Sequence, residues 1–184
     1  FEHVDAWLAR ALTAEVLANS DETAREQVRR AHGGMAQSSV KIFHNAAPPA
    51  FWREGDARPE CGELRKLLII SNHPPEELVE ALAMLQYNGV AVKGVGDPYE
   101  RHLVAPSDIS SADAVITIGK SVPYAIACRR PAYMYDRFGG DGWLVRKNAQ
   151  TSMAHNFSGR PAQRRLSAEA IAREIVDGFA AAQD

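Results

Sequence analysis

From residue 67 onward the chain alternates between short, continuously apolar runs and longer stretches in which apolar residues return every three or four positions. LLIIS (67–71) is apolar on both faces, as a central parallel strand should be. VAVKGVG (90–96) reads as a second strand and HLVA (102–105) as a short third. AVITIG (114–119) and PAYMYD (131–136) read as the fourth and fifth. Between the first two lies PEELVEALAMLQY, a helix whose first turn is preset by Pro74 and Pro75. Glu76 and Glu77 favour its N-terminal dipole, and Asn88-Gly89 ends it. SVPYAIACRR (121–130) is a short helix. After a long loop, SAEAIAREIVDGFAAAQ (167–183) is another, with Ile171, Ile175, Val176 and Phe179 as its apolar stripe. Strands separated by helices at this pace predict an α/β fold, a Rossmann-like open parallel sheet with helices on both faces.

Before residue 60 the pattern is less regular. HVDAWLARAL places Val4, Trp7, Leu8 and Leu12 on one helical face. AEVLANS is a short apolar run ending at Ser20, which caps a helix over DETAREQVRRAH that Gly33-Gly34 stops. VKIFHNA is a candidate strand, and Ala47 to Lys66, with Pro48, Pro49 and Pro59, reads as a connector. The expected organisation is a lead-in and linker over 1–60 and a Rossmann-like domain over 61–184.

Composition narrows the function classes. The chain has 184 residues, 46% hydrophobic and 24% charged, which suits a soluble globular domain with a real core. A net charge of -2 gives no overall attraction to nucleic acid, and none is expected as a partner. The charge is unevenly spread, however. Nine Lys and Arg fall between Gly119 and Leu166, against only Asp136 and Asp141. A basic third of this kind suits a phosphate-bearing ligand, although a solvated face would look the same. Cys61 and Cys128 form no Cys-x-x-Cys pair and fit a reducing compartment, and the six histidines show no metal-ligand spacing. No apolar run reaches the roughly 18 residues of a membrane span. Glu2 and Asp5 stand where a signal peptide needs basic then apolar residues, so a cytoplasmic location is expected. The first residue is Phe, which suits a piece of a longer protein.

In an open parallel sheet, ligands bind beyond the carboxyl ends of the strands, where strand order reverses. That rule selects Ser71-Asn72-His73, Gly94 to Asp97, Gly119-Lys120-Ser121 and the DRFGG stretch from Asp136 to Gly140. Each also reads as an ordinary turn. Gly119-Lys120-Ser121 has the ending of a P-loop, but the glycine required five residues earlier is Ala114, inside the strand. What remains is a glycine turn at Gly119, Ser121 as the cap of the following helix, and Lys120, which with the free N–H groups of that first turn suit one or two phosphate groups. A nucleophile elbow fails because Pro123 replaces its second glycine. His73 reads as a general base, a phosphate donor or a turn residue. Asn156, Ser158 and Arg160 read as polar ligand contacts or as a loop tied to its own backbone. Phe138 and Trp143 read as stacking partners for a base or sugar, or as core.

These stretches in order resemble the C-terminal, donor-binding half of a GT-B-fold, nucleotide-sugar-dependent glycosyltransferase. EVLANSDETAREQVRRA looks like the strand and helix that close the acceptor domain of such enzymes, and VKIFHNAAPPAFW looks like their interdomain linker. LLIISN, GVAVKGVGD and SADAVITIGKSVPYAIACRRPAYMYD look like their donor-binding domain, with YAIACRRP in place of the usual small-residue, Cys-Gly-x-Pro pattern. Two features depart from the family. Aligned on Pro131, the Glu-x7-Glu pair, whose second member binds the donor ribose, is replaced by Ile116 at the first place and Tyr124 at the second, and the Arg and Lys that commonly follow the first donor-domain strand are replaced by SNHPPEE.

The resemblance implies that a nucleotide-diphosphate sugar is held as donor substrate, with no cofactor and no metal. The donor contacts it implies are Asn72, His73 and Gly96, then Gly119, Lys120, Ser121 and Tyr124, then Arg137, Gly139, Gly140 and Arg160. The catalytic base and an N-terminal acceptor domain would lie outside this chain, and the acceptor would sit in solution or at a membrane surface. A non-catalytic α/β binding or assembly module and an epimerase-like nucleotide-sugar enzyme are the alternatives.

Overall fold

A computed structural model describes residues 16–28, 40–54 and 62–183. Near the start, β1 (Val16–Ala18) and β2 (Val40–Ile42) pair in parallel as a small sheet of their own. Between them a helical segment, Thr23–Val28, wound as a π-helix, follows Ser20, whose Oγ accepts the Thr23 N–H at 3.1 Å as the expected cap. The main sheet consists of β3 (Lys66–Ile70), β4 (Ala91–Val95), β5 (Ala114–Ile116), β6 (Ala132–Asp136) and β7 (Gly139–Trp143), in the order β4-β3-β5-β6-β7. The first four are parallel, and β7 runs antiparallel to β6. The helices are α1 (Pro49–Glu54), α2 (Glu76–Tyr87), α3 (Pro106–Ser110), α4 (Ser121–Ala127), α5 (Arg146–Ala154) and α6 (Ala168–Gly178). The architecture is the expected α/β one, a Rossmann-like, mostly parallel sheet covered on both faces.

The two-residue period of the strands divides the core. Leu67, Ile69, Ala114, Ile116, Tyr133 and Tyr135 face one side, where α2 and α6 bring Leu78, Leu82, Leu85, Ile171 and Ile175. Leu68, Val115, Ala132 and Met134 face the other, against Phe51, Ile109, Val122 and Ala125 from α1, α3 and α4. Each large aliphatic buried in this way contributes about 1.5–3 kcal/mol. Phe51 therefore joins the core of the main sheet, although its sequence neighbours read as linker.

Several elements differ from the sequence reading, each for a physical reason. HLVA is not a strand: Pro106 starts α3, the Asp108 carboxylate captures the Ala105 N–H, and pairing is limited to a single bridge between Val95 and Glu100. The connector holds α1, and the long loop after β6 holds β7 and α5. Apart from Trp143, the GGDGW of β7 consists of poor strand formers, and it is held by pairing and by the Trp143 ring, which meets Tyr133 edge-on at 5.3 Å. Val176 is 51% exposed, outside the buried stripe of Ile171, Ile175 and Phe179. HVDAWLARAL and Gly33-Gly34 lie outside the described residues. Among the described residues, no helix is long and apolar enough to cross a membrane.

Candidate functional site

Strand order reverses between β3 and β5, because β4 lies on one side of β3 and the chain then crosses back to the other. A cleft of about 700 Å³ opens there, beyond the carboxyl ends of the strands. Its floor depends on one glycine. Gly96 has φ +110°, and a Cβ on it would stand 2.2 Å from the Ser71 carbonyl oxygen, so only glycine lets the chain leaving β4 lie against the chain leaving β3. Ser71 N–H donates to Val95 O at 3.0 Å, and Thr117 Oγ1 donates to Ile70 O at 3.1 Å, which fixes three strand ends to one another.

Asn72, His73, Gly96, Lys120, Ser121, Tyr124, Arg137 and Arg160 all line this cleft. Gly119, Gly139 and Gly140 are not among its lining residues, and each shapes the course of the chain. Gly119 (φ +64°) turns β5 toward α4 and donates its N–H to Phe157 O at 3.4 Å. A Cβ on Gly139 would lie 2.2 Å from Arg164 O, and one on Gly140 would lie 1.9 Å from Met134 O, so both permit a close chain crossing. Ser121 does not cap α4. Lys120 is the N-cap residue, in helical conformation, and Ser121 is the first, buried residue of the helix. Trp143 belongs to the core, while Phe138 stays at the cleft with the Arg137 guanidinium 4.8 Å from its ring centroid.

The loop over 155–160 is tied to the rest of the chain. Asn156 Oδ1 accepts from Asn45 Nδ2 at 2.8 Å, Phe157 is buried in the second core, and the Ser158 Oγ is buried without a partner among the described residues. Arg160 donates through Nε and Nη2 to both oxygens of Glu22, at 2.7 and 2.5 Å. That hydrogen bond holds the Glu22 carboxyl below the usual carboxylate range. Asp136 is likewise occupied, accepting the Phe138 N–H at 2.7 Å and the Gly159 N–H at 2.9 Å.

Three more cations of the basic third are accounted for in the same way. Arg130 is buried and donates to the carbonyls of Ala112, Cys128 and Ser110. Arg164 makes a two-bond pair with Glu174, and Arg165 donates to Arg137 O. Among the described residues, the cleft cations without a carboxylate partner are Lys120 and Arg137. Also among the described residues, no three His, Cys, Asp or Glu side chains group to hold a metal ion.

Sequence reasoning missed two parts of the wall. Phe51, from the supposed connector, stacks on Tyr124 with centroids 4.4 Å apart and planes 26° from parallel. Pro49, at the start of α1, was the available signal. The second part follows β4, where His102, Leu103 and Val104 line the cleft. His102 Nε2 lies 2.9 Å from Asp108 Oδ2, and Lys93 Nζ donates to Asp108 Oδ1 at 2.9 Å. Burial pushes the Asp108 carboxyl up, but the bonds from Ala105 N–H, Lys93 and His102 outweigh it and hold it down at about 2. The Pro106-Ser107-Asp108 order marks a helix start, which would have turned HLVA into a loop.

The cleft thus offers two uncompensated cations at the ends of β5 and β6, an aromatic and apolar wall, and an imidazole held by a buried carboxylate. It suits an elongated anion with an apolar or aromatic part. No family model matches the sequence, and no curated protein matches it.

Proposed function

We propose that this chain is the donor-binding domain of a GT-B-type glycosyltransferase, holding a nucleotide-diphosphate sugar for transfer to an acceptor presented by another part of the enzyme. One observation carries the reading: Lys120 and Arg137, without carboxylate partners among the described residues, line a cleft at the reversal of strand order. They leave neighbouring strands, which lie about 4.8 Å apart, a spacing on the scale of adjacent phosphate groups. When the glycosyl bond breaks, negative charge builds on the departing diphosphate, and cations already in place stabilise it without reorganisation. Tyr124, half-buried and backed by the buried Phe51 ring, supplies the aromatic surface that a nucleoside or sugar ring needs.

The test is thermal protection by UDP, GDP and their sugars. Ligand that binds only the folded chain raises the midpoint, by about 2.7 kcal/mol of stability at a hundredfold excess over Kd. Lys120→Ala is expected to abolish most of that rise while leaving the ligand-free midpoint nearly unchanged. The chain alone is expected to transfer no sugar. Protection that survives Lys120→Ala would move the phosphate elsewhere. A second reading, a non-catalytic α/β binding or assembly module, is favoured by Tyr124, which stands where the family's ribose-binding glutamate would be and stacks on Phe51. It predicts no nucleotide protection at all. An epimerase-like enzyme would instead convert the bound sugar.

A further inference from the structure

The turn that leaves β6 is fixed from three sides. Asp136 Oδ1 accepts the Phe138 N–H at 2.7 Å, Asp136 Oδ2 accepts the Gly159 N–H at 2.9 Å, and the Arg165 guanidinium donates to Arg137 O. This turn carries the Phe138 ring, which is 37% exposed, lies outside the apolar cores on either face of the sheet and lines the cleft. Two guanidinium groups stand by that ring. The Arg137 Cζ lies over it, 4.8 Å from its centroid, and the Arg160 Cζ is 5.9 Å away. Arg160 is already bound to both oxygens of Glu22, whereas Arg137 has no carboxylate partner among the described residues. An exposed guanidinium on a flexible stem samples many rotamers, and ordering it at the moment of binding costs affinity.

We infer that Phe138 is a positioning residue of the anion site: its ring holds the Arg137 guanidinium at the end of β6 before any ligand arrives. The attraction is that of a cation for the electron-rich face of an aromatic ring. The freedom of the Arg137 side chain is then given up on folding and not on binding, which is what makes a cation effective toward a diphosphate. This rests on the donor-binding reading, in which Arg137 meets the diphosphate, and adds to it how that charge is kept in place. It also gives Phe138 a duty other than stacking on the base or sugar. A ring face that carries a guanidinium is not open to a ligand ring, so stacking on the ligand falls to Tyr124.

Two measurements test this. In NMR of the ligand-free chain, the δ-methylene protons of Arg137, assigned with Arg137→Lys, are expected upfield of their position in Phe138→Leu, because a ring shields what lies over its face. Protons that do not move between the two chains overturn the inference. In titration calorimetry at low salt, Phe138→Leu is expected to weaken pyrophosphate and the nucleotide, UDP or GDP, by the same factor of about two to five. Phe138→Tyr, which keeps a ring face, is expected to bind as the wild type does. In an Arg137→Ala background, Phe138→Leu is expected to change affinity no further. A loss for the nucleotide with pyrophosphate unchanged would show that the ring stacks on the nucleoside, and it overturns the inference, as does a loss that persists without Arg137. Unchanged affinity in a folded Phe138→Leu overturns it as well and leaves the donor-binding reading standing. If neither pyrophosphate nor nucleotide binds the wild type, the donor-binding reading falls instead. The NMR measurement then decides the inference: shielded Arg137 protons support it, and unshielded ones overturn it.

Discussion

Asp108 brings together a chemical role and a folding role in one carboxylate. It is buried, accepts Ala105 N–H to start α3, takes Lys93 from β4 and orients His102 at the cleft. Its carboxyl, held at about 2 against an ordinary value of 3.8, releases its proton more readily in the folded chain than in the unfolded one. The stability it contributes is therefore fully present above about pH 4 and is lost as pH falls through about 2. Asp108→Asn is expected to lower stability by about 2–3 kcal/mol at neutral pH, measured as a lower urea midpoint. The gap to wild type should close as pH falls through that window, and a constant gap would mean that charge is not the cause. The sequence reveals an acid placed early in a helix after Pro106. It does not reveal the partners, because Lys93 and His102 reach Asp108 only through the course of the chain between β4 and α3.

At the scale of elements, helices and strands with strong internal pattern were legible. β3 to β6, α2 and α6 form within a few residues of the runs that predict them, since each buries side chains at its own period. β7 was not legible. Three of its five residues are glycine, and they serve close crossings rather than strand propensity. The hairpin is instead held from outside: Arg164 pairs with Glu174 of α6 and donates to Gly140 O, while Glu174 accepts from the Tyr133 hydroxyl. Burial and the Glu174 carboxylate push that hydroxyl far above its ordinary range. Arg164→Ala is expected to lower stability by only about 1 kcal/mol, because the pair is partly exposed. It should nonetheless speed hydrogen exchange at the amides of Gly140 and Leu144 while those of α2 keep their rates. Equal acceleration everywhere would show that the pair supports the whole fold rather than the hairpin.

Across the whole molecule, charge distribution is what the cleft depends on. Part of the basic third identified from composition is internal wiring: Arg130 to carbonyls, Arg164 to Glu174, Arg160 to Glu22. The Glu22 contact joins the β1–β2 unit to the cleft and neutralises a cation that lines it. Glu22→Ala is expected to raise the affinity of the cleft for pyrophosphate several-fold, more at low salt than at high, because the freed guanidinium adds to Lys120 and Arg137. Isothermal titration at two salt concentrations measures this, and a fall in affinity would show that Glu22 positions Arg160 for the ligand rather than withholding it.

By itself the order of apolar and polar residues determined the fold class, most of the strands and helices, and the set of strand ends at which a ligand would sit. These follow from short-range periodicity and from the general rule for parallel sheets. Only the tertiary structure decided which strand ends share a cleft, that Phe51 and His102 belong to its wall, and which arginines keep their charge available. Those outcomes depend on strand order and on pairings between residues as far apart as Glu22 and Arg160, and no local pattern encodes the partner of a charged side chain.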